Sequence, residues 1–189
     1  MKDEDRKPFP TWIDERAAET PERVFALIPR TNVVKDGYQE FTYRQLARAV
    51  DKLSWFLDQE LGSPPVDFET IAYMGVSDLR YTILYIAVQK TRRQVCFSHL
   101  DAKYGNLKQD VQVLFPSDQN SRQAHLNLLS VTNCRVLIAS KELVVLWESL
   151  RPEVDGFKIL ATPDFETFLV DEKVEKYPSL YTHMGRVEK

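Results

Sequence analysis

The tightest grouping of side chains that could do covalent chemistry is Ser117, Asp118, Ser121 and His125. A hydroxyl, a carboxylate and an imidazole are the parts of a nucleophilic triad, in which the imidazole takes the hydroxyl proton and the carboxylate orients the ring. Triads are assembled in space from distant segments, so this sequential cluster reads instead as a loop and the start of a helix. His99, His125 and His183 have no partner at metal-ligand spacing and are read as structural or surface residues. Cys96 and Cys134 are too few for a disulfide framework or a thiolate zinc site, and a reducing, cytoplasmic setting is the expectation. Cys134 opens an apolar strand and reads as a small buried hydrophobe. Trp12, Trp55 and Trp147 fall in different helices among apolar neighbours, which argues for packing rather than a base-stacking platform.

The glycines test for nucleotide chemistry. There are six, Gly37, Gly62, Gly75, Gly105, Gly156 and Gly185, and no two are closer than thirteen positions. A phosphate-cradling loop needs clustered glycines, so that backbone N–H groups close on the anion without Cβ clashes. Neither a dinucleotide fingerprint nor a Walker-type loop can be written, and no catalytic, cofactor-binding or metal-binding residue is assigned in this chain. With 25 basic and 28 acidic residues, a net charge of -3, there is no cationic field for nucleic acid. No apolar run approaches the ~20 residues that span a bilayer, and the charged start from Met1 to Pro8 lacks the apolar stretch of a signal peptide. A nucleic acid or a membrane is therefore not an expected partner.

The elements that would position these residues follow from periodicity. The chain is 189 residues long, 43% hydrophobic and 28% charged, enough for one domain or one lobe of a larger enzyme. Phe9 to Ala18 reads as a helix capped by Thr11, and Thr20-Pro21-Glu22 as a turn. Val24 to Ile28 and Tyr38 to Thr42 are β-prone, with Asp36-Gly37 as a hairpin turn between them. Leu46, Val50, Leu53, Phe56, Leu57 and Leu61 fall at helical spacing, with Thr42 as cap and Gly62, Pro64 and Pro65 as the stop. Beyond them, strands at Thr70–Val76, Val113–Phe115, Cys134–Ala139 and Phe157–Ala161 alternate with helices at Asp78–Thr91, Ser121–Leu129 (capped by Asn120) and Lys141–Leu150. Strands alternating with single helices predict an α/β fold with right-handed crossovers and a mainly parallel sheet flanked by helices, with an N-terminal hairpin.

Several stretches resemble the N-terminal lobe of adenylate-forming (AMP-binding) enzymes, particularly the adenylation domains of fungal synthetase-like proteins. Phe41-Thr42-Tyr43-Arg44-Gln45-Leu46 is similar to the family's first core motif, which opens a long helix. Asp78 to Ala87 looks like the buried helix that precedes the second motif in the fungal branch. Leu114-Phe115-Pro116-Ser117-Asp118-Gln119-Asn120-Ser121 is close to that branch's Leu-Phe-x-Ser-Pro-Arg-Asn-Ser. The likeness continues through Ala124-His125-Leu126, Leu128-Leu129, Thr132 and Cys134, and Glu175-Lys176-Tyr177-Pro178 is similar to the tract leading to the catalytic loop. It implies a carboxylic acid activated with ATP and magnesium, then passed to a phosphopantetheine thiol. A carrier domain and a reductase or thioesterase domain commonly follow in that branch. The family's phosphate loop, its ribose-binding aspartate and its late catalytic lysine match nothing here, so the resemblance carries over scaffold and no catalytic residue.

The expected organisation is a disordered start at 1–8, a truncated adenylation lobe over 9–180, and a disordered tail at 181–189. Residues 95–112 interrupt the match. Without those eighteen residues Gln94 runs directly into Val113-Leu114-Phe115. Their 54 nucleotides suit a short intron: Val95-Cys96 can be encoded GTA TGC, and Val111-Gln112 can end in CAG. The segment is thus expected to be translated intron or a surface insertion, exposed and poorly ordered in either case. The leading expectation is an enzyme by descent that is inactive alone. The alternative is a non-catalytic fragment that docks on a synthetase or completes a split enzyme.

Overall fold

The computed structural model describes residues 7–31, 33–62, 70–95, 116, 120–170 and 172–178. Helix α1 (Phe9–Glu19) starts from Pro8, whose fixed φ suits a helix entry, and no side chain caps it. Thr11 therefore does not cap. It lies inside the helix, and its buried hydroxyl meets no hydrogen-bond partner among the described residues. Strands β1 (Val24–Pro29) and β2 (Tyr38–Thr42) pair antiparallel, with Ala26 opposite Phe41 and Pro29 opposite Tyr38. Their connection is wider than the two-residue turn expected at Asp36-Gly37. It runs over residues 30–37 through a 3-10 turn at Val34–Asp36, and closes where Arg30 N donates to the Gly37 carbonyl at 3.1 Å. Gly37 is needed there because its φ is +75°.

Helix α2 (Tyr43–Leu61) follows β2 without a break. Thr42 and Gln45 form a reciprocal capping box, Gln45 N donating to Thr42 Oγ1 at 3.3 Å and Thr42 N to Gln45 Oε1 at 2.8 Å. Gly62, at φ 76°, ends it.

The second half is a parallel α/β unit. Its strands are β3 (Thr70–Met74), β4 (Gln94–Val95), β5 (Val136–Ala139) and β6 (Lys158–Ala161), in spatial order β4-β3-β5-β6. Helices α3 (Arg80–Lys90), α4 (Arg122–Val131) and α5 (Lys141–Glu148) connect them, and a short α6 (Glu166–Leu169) follows β6. Ser121 caps α4 by accepting from Ala124 N at 3.2 Å, one position later than the expected Asn120. The strand beside β3 is Gln94–Val95; the expected strand at Val113–Phe115 lies outside the described residues.

Alternation along the strands divides the core in two. Ile71, Tyr73, Val136, Ile138 and Leu160 face α2, α3, α6 and the hairpin, with Ile13, Phe41, Leu46, Val50, Leu57 and Ile83. Ala72, Met74, Leu137 and Ala139 face Leu129, Cys134, Trp147 and Leu150 on the α4–α5 side. The chain thus goes outward from β3 to β4 over one face and returns to β5 and β6 over the other. That winding makes the gap between β3 and β5 a topological switch point.

Candidate functional site

In open parallel sheets, ligands lie beyond the carboxyl ends of the strands at the switch point. Here that place is built by Gly75 and Val76 after β3, Ser140 after β5 and Thr162 after β6. Ser140 N donates to the Met74 carbonyl at 3.0 Å and Thr162 N to the Ala139 carbonyl at 2.8 Å, so the three strand ends are tied together. Tyr81, from the first turn of α3, closes the near side. Its hydroxyl donates to the Gly75 carbonyl at 3.2 Å, and its ring meets Tyr73 edge-on at 4.6 Å between centroids. Burial pushes the Tyr73 phenol well above its ordinary value, Arg80 opposing the shift and the Thr162 side chain hydrogen-bonding to it. Asp78 accepts from Arg80 N, the first N–H of α3, at 2.9 Å and from the Arg80 guanidinium at 2.8 to 3.1 Å. At the rim, Lys141 pairs with Asp164 at 2.7 Å. The crevice holds hydroxyls and satisfied ion pairs, with no nucleophile and base in contact among the described residues.

The residues singled out from sequence are not brought together here. Ser121 is spent on capping α4, and His125 is buried with its ring 4.6 Å from that of Trp147. Ser117, Asp118, Cys96, His99 and His183 lie outside the described residues. Cys134 is 1% exposed, its thiol directed to the Val136 carbonyl at 3.2 Å, as a buried small residue should be. Trp12, Trp55 and Trp147 sit on α1, α2 and α5; Trp147 is fully buried and donates to Met74 Sδ at 3.4 Å. No helix among the described residues is long and apolar enough to cross a membrane.

Two buried charge clusters were missed from sequence. Lys90, 1% exposed, donates to Asp14 and Asp51 and so joins α1, α2 and α3. Arg93 donates to Asp58 Oδ1 at 2.7 Å and to the Gly62 carbonyl, while Tyr177 donates to the other Asp58 oxygen. Burial first, and the Asp58 carboxylate second, raise the Tyr177 phenol. Trp55 Nε1 also donates to the Glu175 carbonyl at 2.9 Å, so residues 172–178 are strapped across α2. The available signal was phase: Lys90 shares its helix face with Ile83, Ile86 and Ala87, where solvent is absent.

The hairpin, long capped helix and doubly wound sheet recur in solved adenylate-forming enzymes. The chain matches the Klebsiella oxytoca NpsA N-terminal subdomain, solved in complex with 3-hydroxybenzoyl-AMSN, with a TM-score of 0.59 and 17% identity, over 93% of this chain and 35% of that one. A Mycobacterium tuberculosis fatty acyl CoA synthetase gives a TM-score of 0.61 at 11% identity, over 90% of this chain and 29% of that one. In sequence, the chain is 30% identical over 162 residues to a carboxylic acid reductase from Neurospora crassa, covering 85% of this chain and 14% of the reductase. It is 26% identical over 133 residues to an isocyanide synthase–NRPS hybrid from Aspergillus fumigatus, 70% of this chain and 7% of that protein. No family model matches the chain. The chain corresponds to the N-terminal part of an adenylate-forming (AMP-binding) domain and resembles the adenylation domains of fungal synthetase-like proteins.

Proposed function

We propose that this chain is the scaffold portion of an adenylation domain that activates a carboxylic acid with ATP, and that it is inactive alone. One observation carries the reading. The chain is related to 14% of a carboxylic acid reductase, and nowhere carries the clustered glycines of a phosphate loop. The switch-point crevice does not fit a nucleoside triphosphate. Among the described residues its one glycine, Gly75, leaves no open cradle, because a Cβ built there would collide with the Tyr73 hydroxyl. Its cations are already taken, Arg80 by Asp78 and Lys141 by Asp164. Acyl-adenylate formation needs donors and a cation aimed at the transferred phosphorus, and these residues supply neither.

In this reading the remaining adenylation residues, a carrier bearing phosphopantetheine, and a reductase or thioesterase domain are the partners, in a cytoplasmic synthetase of secondary metabolism. ATP and magnesium belong to the completed domain. The chain's own part is to hold α2, the hairpin and the parallel sheet as a platform. The test is acid-dependent ATP–pyrophosphate exchange with isothermal calorimetry on the purified chain. No exchange and no saturable ATP heat are expected; saturable ATP binding that survives repurification would overturn the reading. Capture of an intact synthetase by a chain that is inert in both assays would instead favour a docking role.

A further inference from the structure

Residues 172–178 cross α2 without regular secondary structure. Among the described residues no bond between backbone groups holds them, so side chains must do so. Lys52 pairs with Glu172, and Trp55 Nε1 donates to the Glu175 carbonyl at 2.9 Å. The Trp55 and Tyr177 rings meet edge-on, with centroids 4.8 Å apart. Tyr177 is buried, and the rest of the stretch is exposed or half-buried. The Tyr177 hydroxyl donates to Asp58, and its backbone N–H hydrogen-bonds the Asp51 carboxylate. One strap residue therefore reaches two carboxylates of α2.

Those two carboxylates also hold cations from another element. Asp51 and Asp58 lie two turns apart on one face of α2. Lys90 Nζ donates to Asp51 at 2.7 Å, and the Arg93 guanidinium donates to Asp58 at 2.7 Å. Lys90 ends α3 and Arg93 precedes β4, so the turn into β4 is gripped at both ends by the carboxylates that Tyr177 reaches. That turn needs a grip. Arg92, between the two cations, has φ 58°, a left-handed backbone that a residue other than glycine keeps only where its surroundings fix it. Withdrawing Tyr177 returns part of each carboxylate to water, where an ion pair is weaker and holds the turn less firmly.

We propose that residues 172–178 are a latch, pinned by Tyr177, whose closure is coupled through Asp51 and Asp58 to the turn that carries α3 into β4. Coupling between two sites is reciprocal. Whatever draws the chain beyond Pro178 off α2 loosens the start of β4, and whatever loosens that turn releases the strap. The position of the downstream chain is thereby felt at the sheet. The coupling rests on the shared carboxylates and the strained turn, and is independent of the catalytic reading above.

The test reads both ends of the coupling in the full chain. Trypsin cleavage after Lys176 reports strap opening. Hydrogen exchange of the Thr91 and Arg93 amides, which donate to the Ala87 and Val88 carbonyls at 2.9 and 3.0 Å, reports the turn. Cleavage after the buried Lys90 marks global unfolding and is the baseline for both. Trp55→Phe removes a strap bond and leaves both carboxylates in place. Arg93→Lys weakens the grip on the turn and leaves the strap residues in place. Tyr177→Phe keeps the ring and deletes the hydroxyl that Asp58 accepts from. Each should raise both readouts above the baseline, Tyr177→Phe by about tenfold, as loss of a hydrogen bond to a charged group implies. A variant in which only one readout moves, or Tyr177→Phe with neither moving, would overturn the coupling. If Arg93→Lys unfolds globally, Trp55→Phe decides, because it disturbs the strap alone.

Discussion

Replacing Lys90 by methionine removes the one ammonium that three helices share, and the cost can be worked from the geometry. Lys90 Nζ lies 2.8 Å from Asp14 Oδ1 and 2.7 Å from Asp51 Oδ1, with the lysine 1% exposed and each carboxylate side chain 9%. Lys176 reaches Asp14 only from solvent, at 3.7 Å and 67% exposed, and cannot substitute. Methionine keeps the stem's volume but strands two carboxylates side by side in the core. Removing one partner of a buried ion pair costs about 3–5 kcal/mol. That is a large part of the ~5–15 kcal/mol that holds an ordinary domain. Asp51→Asn isolates charge from fit. Burial already pushes the Asp51 carboxyl above its usual range, Lys90 pulling it back and Asp14 pushing it further. A neutral amide keeps an oxygen for Lys90 and removes the surplus negative charge, so its cost should stay within about 1 kcal/mol. Urea unfolding, read by tryptophan fluorescence, compares the two. Lys90→Met as stable as the parent, or Asp51→Asn as damaging as Lys90→Met, would refute an arrangement governed by charge balance around one cation.

The same carboxylate has a pH signature. Its folded value is raised, so the folded state binds the proton more readily; Asp51 therefore lowers stability as pH climbs from about 4, the unfolded value, through its folded value, and Asp51→Asn should remove that component from a pH series of urea midpoints. Thr42→Ala opens the capping box of α2 and should cost about 1 kcal/mol in the same assay, with Thr42→Ser recovering most of it. Trp147→Ala empties a fully buried site between Met74 and His125 and should cost about 3–5 kcal/mol, with loss of near-UV circular dichroism. At the nucleic-acid level, transcripts lacking the 54 nucleotides for residues 95–112 should be detectable by sequencing, with GT and AG at the genomic boundaries.

What was legible in the sequence was what repeats with a period. The α2 stripe, its Thr42 cap and its Gly62 stop were readable because each is set by neighbours three or four residues apart. The parallel sheet was readable because apolar strands alternate with helices, and right-handed crossovers leave few arrangements. Local capping failed twice for lack of tertiary information. Thr11 loses the cap to Pro8, whose ring already presets the entry, and Asn120 loses it to Ser121, which stands one residue nearer the helix. The hairpin turn failed because Asp36-Gly37 forms only the closing corner of a longer loop. The clusters around Lys90 and Arg93 were missed for a different reason: helical phase marks Lys90 as buried, but the partner carboxylates come from helices 35 to 76 positions away. The switch-point crevice, likewise, is a product of strand order, which no single stretch encodes.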